Sequence, residues 1–545
     1  MARFLVRCAW IAIVTALLVV GAWRADARDD GDRDAQSKNM KLVGFSDLQA
    51  RSTYQPTLHK QVVNGQVRYV IYAGHHALAG PGEGQAPAGT PALSSFNPLT
   101  GRNEENGTSI IDVTDVRRPR YLFHLPVPTG AGGGAQMVRV CNRNGREYML
   151  RSYSNAAHEI WDVTNPSSPQ PVHTVNRPDG SGGFVLNTDP ATGPFIGGQA
   201  GTAGALAGTH KNWWECDTGI AYIVGRRGTD TAAGWRAGNH IMIYDLSNPA
   251  SPKFIRDWAM DGQQPGSKLQ PHFTTAPSIH GPISTGPAGG PLSAIPGVVA
   301  NRVYFAYGTS STGIMQIVDR SKLLDTSIPA TDFTTAELGH VVMNPDNGAH
   351  TSFPIGQLTV QDFVTDTGND VGTVREFVVL VSEATANFCD SNQVRHLTFL
   401  VDITDPGRPQ SVSTFQVPAA SGAFCDRGGR FGPHASNEEF GPPFYQKLTF
   451  VSYFNGGVRA IDVRDPYNPK DAAFFIPAVN ANTDLRCGPF KGTPNVCVPA
   501  VQTNNVATDD RGFVFIVDRA NSGMHILRLT GEAARIAGLR GGDDD

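Results

Sequence analysis

Four histidines recur in one local setting along this chain of 545 residues: Gly-Thr-His210, Ser-Ile-His280, Gly-Ala-His350 and Gly-Pro-His434. Each opens the first short strand of a repeated unit. Neutral imidazole is the commonest protein metal ligand, and side chains converging from separate rigid strands make a preorganised site. Two carboxylates are candidates to join them. Glu383, in VVLVSEATANF, ends a long apolar run with no cation beside it in the sequence. Glu159, in NAAHEIWD, stands at the corresponding step of an earlier unit, where a solvent-facing strand residue is an equal reading. His with Glu suits Mn, Zn, Fe or Co better than Ca or Mg, which prefer shells of oxygen alone. Four His and two Glu exceed the needs of one tetrahedral ion. The expectation is therefore two divalent transition-metal ions, Mn or Zn, sharing a carboxylate and a hydroxide. A hydroxide so held is a nucleophile at neutral pH, and the ions polarise the attacked ester oxygen. No G-x-S-x-G, P-loop or dinucleotide fingerprint offers a different chemistry. The competing reading is a histidine that caps a turn once per repeat.

The elements that must carry these residues are repeats. A strand ending in Ile-Asp-Val or a close variant runs into Asp or Asn and usually two prolines. It occurs as SIIDVTDVRRP (109–119), EIWDVTNPSSP (159–169), MIYDLSNPASP (242–252), QIVDRS (316–321), FLVDITDPGRP (399–409) and AIDVRDPYNP (460–469), with a degenerate copy GMHILRLTG (523–531). Each copy has an apolar strand upstream and another downstream of the prolines. Four antiparallel strands per unit is a propeller blade, which buries both faces only against its neighbours in a ring. The expected fold is all-β: a seven-bladed β-propeller, with residues 28–545 as one domain. The last unit is a strand short, and the lone strand MKLVGFSDL (40–48) supplies it, closing the ring. The repeated Asp reads as turn chemistry: Asp and Asn side chains bond nearby backbone and Pro sets the exit. The Gly/Pro-rich stretches 180–208 and 282–296 are candidate lids, or else plain surface loops.

In a propeller the first strand of each blade lines the axis. The four histidines then form part of a ring at one face, with Asn504-Asn505 in blade seven and Tyr54 in blade one as a candidate substrate contact. His75, His76, Arg226, Arg227 and Asn455 belong to the same face. Glu438 and Glu439 lie further along an inward-running strand and are left outside the ligand set.

Composition bounds the class. Sixty Gly, 38 Pro and 17% charged residues describe a turn-rich strand protein. A net charge of −4 without a basic stripe excludes a nucleic-acid footprint. Residues 1–27 read as a signal peptide: Arg3 and Arg7, an apolar run from Cys8 to Ala22, and the cleavage triplet Ala25-Asp26-Ala27. No later segment is apolar enough to cross a membrane. Export makes the six remaining cysteines candidates for disulfides. Cys487 and Cys497, ten residues apart, are spaced for a local bridge; Cys141 and Cys216 stand near the ends of equivalent strands in consecutive repeats, which would leave Cys389 for Cys425, and the sequence leaves the connectivity open. The protein is expected in the periplasm or secreted.

The copies IIDVTDVRRP, IWDVTNPSSP, LVDITDPGRP and AIDVRDPYNP resemble the LVIVD repeats of bacterial exported β-propellers, across nearly all of the mature chain. One similar branch is the seven-bladed propeller phosphotriesterases, or haloalkylphosphorus hydrolases. That resemblance implies a binuclear, manganese-type centre of His and Glu from several blades, at positions matching Glu159, His210, His280, His350, Glu383 and His434. The resulting expectation is a metal-dependent hydrolase of phosphotriester or related small-molecule esters, with Glu383 as the catalytic carboxylate. The alternatives are a ligand- or protein-binding propeller without catalysis, and a mononuclear Fe or Cu oxidase.

Overall fold

The structure, a computed structural model, describes residues 35–76, 94–127, 134–153, 157–175, 185–187, 195–197, 206–236, 238–267, 278–309, 311–344, 346–360, 373–390 and 393–539. Residues 1–27, expected from the sequence to be a signal peptide, and most of the 180–208 insert lie outside them. Seven antiparallel sheets are arranged radially as propeller blades. The innermost strands are Thr53–Val63, Val138–Arg143, Asn212–Trp214, Ile279–Ser284, Thr351–Thr359, residues 434–437 and Thr503–Thr508. Blade six has the least regular inner strand. Its hydrogen bonds to Leu448–Ser452 run from His434 N to Ser452 O (2.9 Å), Ser452 N to Ala435 O (2.9 Å) and Asn437 N to Phe450 O (2.9 Å).

Closure occurs as the terminal repeats require. Met40–Ser46 pairs with Met524–Leu529 and becomes the outer strand of blade seven. The segment just before it, Gln36–Lys38, pairs with the outer strand of blade six, Lys470–Ile476. The start of the chain therefore covers the exposed edges of two adjacent blades. Asn39 makes the step between them with a positive φ of 53°, and its side-chain amide donates to Ala472 O (2.9 Å).

The repeat signature has two local consequences. In six blades the third and fourth strands slip register by one residue just before the repeated Asp, as between Ile160 and Trp161 or Leu400 and Val401. Such bulges increase twist, which radial packing of the blades requires. The Asp and the following Asp or Asn then accept backbone N–H groups two residues on. Asp402 Oδ1 accepts from Thr404 N (2.9 Å) and Asp405 Oδ1 from Gly407 N (3.0 Å), with equivalents in blades one, two, three and six. The motif is turn structure.

Blade faces pack through aliphatic and aromatic strand residues such as Tyr222, Val303, Phe305, Phe353 and Val379. The three disulfides are Cys141–Cys216, Cys389–Cys425 and Cys487–Cys497, with Cα separations of 5.0, 5.3 and 4.1 Å. The first joins blades two and three; the last closes a hairpin, Leu485–Phe490 with Thr493–Pro499. The 282–296 stretch is not a lid over the histidine face. Its first residues belong to the inner strand Ile279–Ser284, and the rest turns at the opposite end, where Gly297 O accepts from Gln357 N (2.8 Å). Among the described residues no helix is long and apolar enough to cross a membrane.

Candidate metal centre on the propeller axis

Each ring residue reaches the axis for a backbone reason. His210, His350 and His434 stand just ahead of the regular inner strand. Each donates its backbone N–H to the second strand, at Val224 O (3.2 Å), Val381 O (2.7 Å) and Ser452 O (2.9 Å). His280 and Tyr54 sit inside register slips, between Ile279 and Gly281 and between Thr53 and Gln55; Asn504 lies in the slip between Thr503 and Val506. A bulge frees one residue from strand alternation and re-aims its side chain.

The four imidazoles follow one another around the axis. Ring centroids are 4.6 Å apart for His210–His280, 4.0 Å for His280–His350 and 4.2 Å for His350–His434. Tyr54 closes the arc, its Oη 3.0 Å from His350 Nε2 and 3.4 Å from His210 Nε2. The Nε2 atoms of His210 and His280 are 2.9 Å apart. His350, Glu383 and His434 form a second group whose ligand atoms all lie within 4.8 Å of one another. Two subgroups thus flank Tyr54: a pair of histidines, and a His–Glu–His trio. The trio and Tyr54 are buried, whereas His210 and His280 are half-buried.

Outer partners select the tautomer. His434 Nδ1 lies 2.6 Å from the backbone carbonyl of Asn504, and His280 Nδ1 lies 3.2 Å from the carbonyl of His350. A carbonyl only accepts, so both Nδ1 atoms carry the proton and both Nε2 lone pairs face inward. His350 Nδ1 meets Thr351 Oγ1 at 2.9 Å. Burial is the leading cause that holds His280, His350 and His434 well below the ordinary imidazole pKa. His210 reinforces it at His280, His280 at His350 and Arg519 at His434. All three are neutral at pH 7, as a ligand must be. His434 Nε2 is buried with no hydrogen-bond partner and lies 3.7 Å from Glu383 Oε1. An orphaned lone pair beside a carboxylate and a second imidazole fits a divalent transition metal.

Glu159 lies elsewhere. It is buried in blade two, its Oε2 accepting from Arg151 Nε (2.8 Å) and Trp161 Nε1 (2.9 Å). Arg151 also donates to Leu125 O (2.7 Å), so this pair ties blade two to blade one. The geometry thus leaves Glu159 outside the trio, because its strand turns it toward Arg151.

Glu383 does have cationic neighbours, supplied by tertiary structure: Arg430 Nη1 at 3.0 Å and Arg519 Nη1 at 3.9 Å from Oε1. Of the other face residues, His76 Nε2 lies 2.6 Å from Arg519 Nη2, with its ring 5.2 Å from that of Tyr54. His75 turns into blade one, toward Thr53 and Ser109 (3.0 and 2.6 Å). Arg227 pairs with Asp257 (2.8 Å), and Asn455 donates to Phe424 O (2.8 Å) and Gly428 O (2.7 Å), as structural residues do. Arg430, Arg519 and Lys211 were missed by motif reasoning. Lys211, beside His210 on an axial strand, is buried with Nζ 3.1 Å from Glu438 Oε1, and Arg139 binds the same carboxylate. A charged residue next to a ring histidine was the available signal for Lys211. None marked Arg519.

The fold and this axial histidine cluster define the class: a seven-bladed β-propeller with a candidate metal centre. No protein-family model and no curated protein matches the sequence. Among solved structures the chain is similar to the Dos1 propeller, at 11% identity and a TM-score of 0.40, over 90% of this chain and 96% of that one. It is also similar to the β-propeller domain of Cps50 (Swd1) from Myceliophteria thermophila, at 8% identity and a TM-score of 0.42, over 90% and 100%. A putative 6-phosphogluconolactonase from Bacteroides fragilis follows, at 10% identity and a TM-score of 0.39, over 78% and 87%.

Proposed function

We propose that this protein is an exported metal-dependent hydrolase of phosphotriester or related ester substrates. The observation that carries the reading is the convergence of His350, Glu383 and His434 on the axis, with His434 Nε2 orphaned and its tautomer set by Asn504 O. These three residues would hold one divalent ion, and His210 with His280 would hold a second. Bound there, such ions supply a water-derived nucleophile at neutral pH and Lewis-acid polarisation of an ester oxygen. The chain's own groups do the rest. Glu383 accepts a proton at its carboxylate. Tyr54 Oη, between the two subgroups, orients the ester by hydrogen bonding. The buried trio limits water on one side, while half-buried His210 and His280 leave the other open. Three disulfides suit an oxidising compartment, in keeping with the LVIVD-like repeats and the signal-like first 27 residues.

Metal analysis and a chromogenic triester test this directly. Protein purified without chelators and supplied with Mn or Zn should hold about two ions per chain. It should release the chromophore, and lose both properties in His350→Ala/His434→Ala. Failure of the folded wild type to take up Mn or Zn would remove the hydrolase reading and leave a binding propeller.

A further inference from the structure

In blade six the turn after the third strand leans on blade five. Tyr467 fills the contact: its ring lies 6.0 Å from that of Phe377, and its Oη donates to Asp402 Oδ2 (3.4 Å). Beside it, Pro466 O accepts from Ser413 Oγ of blade five (2.6 Å). Blades one and two build the same contact from smaller residues. Ser167 stands where Tyr467 stands when EIWDVTNPSSP is laid on AIDVRDPYNP. Val70 pairs with Asp112 as Phe377 pairs with Asp402. Where blade six and blade five supply two rings, a cavity of about 190 Å³ is left here, with Val70, Leu122 and Pro166 among its apolar walls. An apolar cavity of about 150 Å³ already admits benzene.

The polar wall differs as well. Asp112 Oδ2 lies 3.3 Å from Arg120 Nη2 and 3.6 Å from Arg68 Nη1, and Arg68 Nη2 also donates to Gln66 Oε1 (2.6 Å). The other oxygen, Oδ1, accepts from Thr114 N (2.9 Å). Arg68 has a counterpart in Arg375, which pairs with Asp402 (3.8 Å). Arg120 has none: it stands opposite Asp112 where blade five has Gln410 opposite Asp402. The charged residues lining the cavity are therefore two arginines and one aspartate. A guanidinium fork is matched to the two oxygens of a carboxylate.

We propose that this cavity binds a small aromatic carboxylate. Its ring takes the place that Tyr467 takes in blade six, and its carboxylate meets Arg120 and Arg68. Arg68 stands seven residues ahead of His75 on the strand Gln66–His75, about 23 Å along it. The site is thus remote from the histidine face and independent of the hydrolase reading.

Titration of the full chain with benzoate, neutral benzamide and ringless acetate tests the proposal, by calorimetry or ligand-observed NMR. A chelator is present throughout, so that no carboxylate is held by metal on the axis. Benzoate should bind saturably, with a Kd of about 1 mM or below, and at least about fivefold more tightly than either analogue. Ser167→Tyr should remove binding by filling the cavity. Arg120→Gln, at a side chain that is 69% exposed, should weaken benzoate by at least about threefold and leave benzamide unchanged. No saturable binding up to about 10 mM, equal affinity for benzoate and acetate, or binding that survives Ser167→Tyr would overturn it. Should Ser167→Tyr not fold, Arg120→Gln decides the matter, since unaltered benzoate affinity in that variant overturns the proposal equally.

Discussion

His434 and Glu159 show how one side chain's surroundings decide between chemistry and structure. Both are fully buried. His434 gives its Nδ1 proton to a carbonyl and leaves Nε2 facing an axial carboxylate. Glu159 spends its charge on Arg151, although burial pushes its carboxyl pKa up against that pull. Glu159→Gln should therefore lower stability by about 3 kcal/mol, since removing one partner strands a buried charge. Metal content should stay at the wild-type level, as read by thermal denaturation and metal analysis on one sample; loss of metal would return Glu159 to the centre. The histidines were legible from their recurrence at strand starts. Arg430 and Arg519 were not, because they lie 47 and more than a hundred residues from Glu383 and carry no motif.

Among the elements, the Asp-x-x-Asp/Asn-Pro turns were readable because their chemistry is local: a side-chain oxygen and an N–H two residues away. Asp465→Ala, which removes the acceptor for Tyr467 N (3.1 Å) at an exposed turn, should cost no more than about 1 kcal/mol and leave metal binding intact. A larger loss in a urea unfolding curve would mean the turn also holds blades together. The Cys141–Cys216 bridge spans a sequence separation of 75 and joins two blades. Its removal as Cys141→Ser/Cys216→Ser should cost about 4 kcal/mol by loop-closure entropy, checked by comparing denaturation midpoints. The bulges that aim Tyr54 and His280 were not legible. A bulge leaves the residue types of a strand unchanged and shifts only its register against a partner, which the sequence does not state.

At the scale of the molecule, the ring is closed by Gln36–Lys38 and Met40–Ser46 across blades six and seven. Deleting 36–46 uncovers two strand edges, so self-association should rise, as seen by light scattering. Acid should act through buried neutral histidines away from the axis. Burial depresses His396 and His525 to about 4. Between an unfolded value near 6.5 and about 4 the unfolded chain binds protons that the folded one refuses, so stability falls as pH falls through that window. Each site contributes up to about 3 kcal/mol, and His525→Gln should flatten the pH dependence of the melting temperature between those limits. Sequence by itself determined the blade count, the closing strand and the histidine positions at the head of the inner strands. All of these follow from periodic pattern and turn chemistry acting over a few residues. Only the tertiary structure decided that Glu383 stands beside His350 and His434 while Glu159 faces Arg151, and that two arginines meet at the axis. Those contacts depend on bulge register and on how blades far apart in the chain come together in space.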